Sequence, residues 1–102
     1  MKATSREGYE FIKPQIAPVK RSIIEAMKTL KSVEYTVNKV IHVADYAGNR
    51  YQISKLIPMI YHETVGKRLS EMVKEGMIEE IGVNKGVHNI NITVYQLTKN
   101  YR

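Results

Sequence analysis

The sequence predicts a small α+β domain, mainly helical and closed by a β-hairpin. Three observations carry this expectation. Apolar residues recur at helical spacing between residues 17 and 75. The period changes to two after Gly76, as in strands. The chain has 102 residues, of which 43% are hydrophobic and 25% charged, the balance of one globular domain with one small core.

The elements follow in order. Residues 1–16 read as an N-terminal arm, because Gly8, Pro14 and scattered charges leave no sustained period. Tyr9, Phe11 and Ile12 are its apolar part, able to dock on the domain or on a second subunit. The single domain then runs over 17–102. Residues 17–32 read as a helix, with Pro18 in the first turn and Val19, Ile23, Met27 and Leu30 in one stripe. Residues 36–47 read as a second helix on Val37, Val40, Ile41 and Ala44, stopped by Gly48-Asn49, although Val-Ile-His-Val also suits a strand. Tyr51 to Ile57 reads as a two-turn helix ended by Pro58. Residues 61–75 form the clearest helix, with Val65, Leu69, Met72 and Val73 on one side and Gly76 at the end. Residues 77–83 and 90–97 read as two strands around an Asn84-Lys85-Gly86 turn region.

Composition excludes several kinds of chemistry. There is no cysteine, hence no disulfide, thiolate metal site or cysteine nucleophile. The three histidines, His42, His62 and His88, lack ligand spacing, so no metal or other cofactor is expected. His62-Glu63 opens like a zinc-protease motif, but Gly66 stands where the second histidine belongs. No catalytic constellation remains, and an enzyme is not expected. No run approaches the ~18 apolar residues of a membrane span, and Met1 to Glu10 lacks an apolar signal segment. A soluble, cytoplasmic protein is expected. The net charge is +6, with the basic excess at the two ends of the chain. Such a balance suits a nucleic-acid partner.

The run from Thr64 to Ile78, with Leu69, then Glu75-Gly76 and the apolar pair Met77-Ile78, resembles the recognition helix of ArsR-, MarR- and PadR-like regulators. Val94-Tyr95-Gln96-Leu97-Thr98 resembles the Tyr-x-Leu-Thr that closes the wing in the same families. Val40-Ile41 through Leu56-Ile57 resembles their first two helices. The resemblance spans residues 36–98 and implies a winged helix-turn-helix with an extra N-terminal helix at 17–32. Pro58 and the apolar turn Met59-Ile60-Tyr61 depart from the pattern. No PadR-type C-terminal dimerisation helix follows the hairpin, and the 17–32 helix is expected to stand in for it.

What the resemblance implies is sequence-specific binding of double-stranded DNA by a small homodimeric transcriptional regulator, associated with the nucleoid. Helix 61–75 would lie in the major groove, with His62, Thr64, Lys67 and Arg68 at its leading half. Arg68 suits guanine, Thr64 a thymine methyl or phosphate, and Lys67 phosphate. Lys85, His88 and Asn89 at the hairpin tip would follow the backbone or enter the minor groove. Arg50, Lys55 and Tyr61 would flank the helix. Gly66 admits two readings, close approach of the helix to DNA or tight packing beneath the first helix. The stripe Val19, Ile23, Met27 and Leu30 is either core or a dimer seam. No small-molecule ligand and no membrane partner are expected. A plasmid or viral partition or replication-site binder would use the same surface. A winged helix serving protein–protein contacts is the alternative from another class, and RNA a third.

Overall fold

A computed structural model describes residues 16–102, so the expected arm, with Tyr9, Phe11 and Ile12, lies outside the described residues except for Ile16. Helix α1 (Pro18–Lys28) begins on Pro18, whose missing N–H costs nothing there. It ends four residues before the expected boundary, where the Thr29 hydroxyl donates to the Ala26 carbonyl at 2.7 Å.

Residues 36–47 are not a helix. Residues 36–44 belong to a β-hairpin of β1 (Val33–Val37) and β2 (Val40–Ala44), in register from Val37↔Val40 to Val33↔Ala44, and Ala47 belongs to a further strand. Asn38 and Lys39 make the two-residue turn, with φ of 50° and 68°. Two left-handed residues in succession give a turn whose twist matches the flanking strands. The β-branched Val33, Thr36, Val37, Val40, Ile41 and Val43 fit a pleated surface better than a helix. Among the described residues there are three α-helices and one five-stranded antiparallel sheet, an α+β architecture.

Gly48-Asn49 does not stop a helix either. It lies in β3 (Ala47–Asn49), and Asn49 starts α2 (Arg50–Leu56). The Gln52 N–H donates to Asn49 Oδ1 at 2.8 Å, and the Asn49 N–H donates to Gln52 Oε1 at 2.8 Å. This reciprocal cap stabilises the short helix by about 1 kcal/mol. Asn49 is only 2% exposed, and its Nδ2 donates to Asn84 Oδ1 at 2.8 Å. Asn84 Nδ2 in turn donates to the Glu34 carbonyl at 3.1 Å. One relay of amides thus joins the start of α2, β4 and β1.

Helix α3 (His62–Lys74) buries Val65, Leu69 and Met72, as its spacing predicts. Gly76 follows at φ 79°, the left-handed exit that glycine adopts without strain. β4 (Ile78–Lys85) and β5 (Asn91–Leu97) then pair from Ile78↔Leu97 to Lys85↔Asn91, with a bulge between Glu80 and Gly82. Thr98 ties the two sequence signatures together. Its hydroxyl donates towards the Gly76 and Met77 carbonyls, at 2.8 and 3.0 Å, and its N–H donates to Met77 at 3.0 Å.

The strand order is β2-β1-β4-β5-β3. Leu97 and Ile78 face the helices and join Ile23, Met27, Ile53, Val65, Leu69 and Met72 in the main core. Val94, three residues from Leu97, faces the other side of the sheet. There it meets Val33 and Ala47 in a smaller cluster under the β1–β2 hairpin.

Candidate nucleic-acid interface

The apolar stripe of α3 decides what its other sides present. Opposite Val65, Leu69 and Met72 stand Glu63, Lys67, Ser70 and Lys74, all exposed. Among the described residues no carboxylate pairs with Lys67 or Lys74. Ser70 and Lys74 were not among the expected contacts. Their spacing of three and seven from Lys67 marks them in the sequence as sharing its face.

The flank towards α1 is a neutralised network. Lys20 Nζ lies 3.2 Å from Glu71 and 2.9 Å from Glu75, and Arg68 Nη2 lies 3.0 Å from Glu71. Arg68 is half-buried, its Nε enclosed without a hydrogen-bond partner. Thr64 is half-buried on the same flank. Arg68 therefore does not share the outer face with Lys67, as expected for neighbours rotated by about 100° on a helix. The Glu75 carboxylate, bonded to the Lys20 ammonium, raises its pKa above the ordinary 10.5, with Glu71 adding to the shift against the cost of burial. A raised folded-state value means that this stabilisation is complete below the ordinary lysine pKa and is lost only as pH climbs past the raised one.

The flank towards α2 carries a second group. Tyr51 stacks on His62 with centroids 5.8 Å apart. The Arg50 guanidinium lies 5.1 Å from the Tyr51 ring centre, and its Nη2 donates to the Tyr51 hydroxyl at 3.1 Å. Lys55, exposed, lies one turn after Tyr51 on the same side of α2. Tyr61, 82% exposed, is the residue before α3. Burial, with the Glu80 carboxylate nearby, raises the Tyr95 phenol above its ordinary 10.0, and Arg50 acts in the opposite sense.

Gly66 sits beneath Arg50. A Cβ there would meet Nη1 at 3.6 Å and Cδ at 3.9 Å, which is ordinary contact. Packing beneath α1 thus does not require this glycine. Gly66→Ala is expected to stabilise the chain by about 0.5–1 kcal/mol through helix propensity. A rise in the thermal midpoint checks this, and a fall would show that the Arg50 side chain cannot give way.

At the far end of the sheet, the Gly86 N–H donates to the Ile90 carbonyl at 2.8 Å and closes the β4–β5 hairpin. Lys85, His88 and Asn89 are exposed there, the last two at φ 61°. Val87 and Ile90, 48% and 60% exposed, give the tip an apolar component that the sequence reading passed over. Their place between a glycine and a strand is the only signal for it.

The candidate dimer stripe is consumed by the chain itself. Ile23 and Met27 are fully buried, and Val19 and Leu30 pack against the same core. Of the two readings left open for it, the structure places these residues in the core. Among the described residues, no group of histidines and acids is arranged to hold a metal ion, and no helix is long and apolar enough to cross a membrane. The chain matches no protein-family model, no curated protein and no solved structure.

Proposed function

We propose that the chain is a double-stranded-DNA-binding protein on a winged helix-turn-helix plan, with α3 in the major groove and the β4–β5 hairpin as the wing. On this reading α1, α2 and α3 are the three helices of the plan, β3, β5 and β4 its small sheet, and β1–β2 an insertion after α1. The observation that carries the reading is the outer face of α3. Lys67, Ser70 and Lys74 stand uncovered, with Glu63 the one acid on that face, while Glu71 and Glu75 are held on the α1 side by Lys20 and Arg68. The helix thus turns uncompensated cations outward, and Arg50 adds another at its α2 flank. Phosphate neutralisation supplies affinity, and polar side chains at base edges supply sequence preference. A role in transcription, partition or replication control would use this same surface.

The test is fluorescence anisotropy with a random-sequence duplex over a salt series. Binding is expected to weaken steeply, with a log–log slope of about −0.9 per neutralised phosphate. Absence of binding at low salt overturns the reading.

A further inference from the structure

We propose that two copies of the chain pair edge to edge through β2, antiparallel and centred on His42, extending two five-stranded sheets into one. This inference does not depend on the DNA-binding reading.

β2 is the outer strand of the sheet, and it lacks the usual protection of an edge. Its sequence Val40-Ile41-His42-Val43-Ala44 contains no lysine, carboxylate, proline or bulge. Val40, Ile41 and Val43 are 56%, 68% and 59% exposed. The Asn38-Lys39 turn joins Val37 and Val40 as a hydrogen-bonded pair, and the antiparallel ladder alternates from there. Val40, His42 and Ala44 therefore direct their main-chain groups to β1. Ile41 and Val43 direct theirs outward, where no described strand receives them.

Antiparallel pairing of a strand with its own copy is two-fold symmetric by construction. Centred on His42, it sets Ile41 opposite Val43 of the second copy, twice. Each such pair joins the outward N–H and C=O groups of one residue to those of the other, so four main-chain bonds form. Both bonded pairs are β-branched, and Val40 faces Ala44 on the other side of the ladder. The same register brings Lys39, in the turn just before β2, near Asp45, just past the end of β2 of the second copy, at both ends. Asp45 is the only aspartate in the chain and is exposed, as is Lys39; the Asp45 Oδ1 accepts the Ser32 N–H at 2.9 Å, which leaves Oδ2 for the second copy. Shifting the centre to Ile41 or Val43 keeps the hydrogen-bonding parity but loses this charge match. That complementarity selects a second copy of this chain, in this register.

The experiment is sedimentation of the full chain, beside the Ile41→Lys/Val43→Lys double variant, with circular dichroism to verify folding. The wild type is expected to sediment at twice the chain mass. The double variant sets lysine opposite lysine twice and is expected to weaken association about a hundredfold. Both positions are exposed, so the circular dichroism spectrum of the folded variant stays near that of the wild type, and its melting temperature falls only by the loss of association. Oxidative crosslinking fixes the register, since the chain has no native cysteine. The two His42 positions form a non-hydrogen-bonded pair with Cα atoms about 4.5 Å apart, within disulfide reach. His42→Cys is therefore expected to give a covalent dimer. Val40→Cys, with its two copies ~13 Å apart, is not. A monomeric wild type, a double variant that remains dimeric, or crosslinking through Val40→Cys in preference to His42→Cys overturns the proposal. A monomer would leave the edge to some other extended segment.

Discussion

Replacing Gly82 by alanine is expected to destabilise the chain by about 2–3 kcal/mol, the cost of forcing extra volume into a closed contact. A Cβ at Gly82 would lie 2.6 Å from the Thr36 carbonyl oxygen, 2.7 Å from Tyr35 Cδ2 and 2.9 Å from Val37 Cγ2. The first of these is backbone and cannot rotate away. Gly82 also borders the bulge in β4, beside the Thr36↔Val83 pairing that attaches β1 to the sheet. Other ties of the β1–β2 hairpin include Val33 in the small cluster, with Tyr35 and Ala44 packed against it, and the Asn84 bond to Glu34. The hairpin is the part expected to give way. Thermal unfolding should show a midpoint lower by ~10 °C or more. Hydrogen exchange should show β1 and β2 amides opening ahead of those in α3. An unchanged midpoint would mean that the hairpin shifts at little cost.

The double variant Arg50→Ala/Lys67→Ala is expected to weaken duplex binding about 10- to 100-fold at moderate salt and to flatten the salt slope by about two. Both side chains are exposed, and neither pairs with a carboxylate among the described residues, so stability should hardly change. Arg68→Ala is the informative control. Its guanidinium is engaged by Glu71 on the α1 side, so its loss should leave the slope nearly intact while loosening the packing of α3 on α1. Anisotropy titrations of this double variant, of Lys67→Ala alone and of Arg68→Ala at several salt concentrations decide the matter. A larger slope change for Arg68→Ala than for Lys67→Ala would return Arg68 to the groove and overturn the outer-face assignment.

How far the candidate site is legible in the sequence differs from residue to residue. Lys67 can be placed outward from the apolar stripe of α3 alone, and Ser70 and Lys74 follow by the same rule. That rule also separates Lys67 from Arg68, since consecutive helical residues do not share a face. What Arg68 does instead depends on Glu71 and on Lys20, which lies about fifty residues away in sequence. The Asn49-x-x-Gln52 cap was readable as well, yet Gly48-Asn49 also fits a helix stop, and local chemistry favours neither. The reach of Asn49 Nδ2 to Asn84 has no local signature at all.

The sequence by itself determined α1, α3, the left-handed exit at Gly76 and the alternating strands β4 and β5. In each of these one period dominates and a terminal residue marks the end, so local sterics and one-sided burial agree. Residues 36–47 carry a pattern that serves either period, with Val37, Val40, Ile41 and Ala44 spaced for a helix and rich in β-branching for a strand. Only the tertiary structure decided between them. The Asn38-Lys39 turn lets β1 fold back, the seat over Gly82 receives it, and Val33 finds Val94 and Ala47 to bury against. The same holds for the stripe on α1, which is core because α2, α3 and the sheet close over it. A segment whose local preferences balance takes the structure that its distant neighbours can bury.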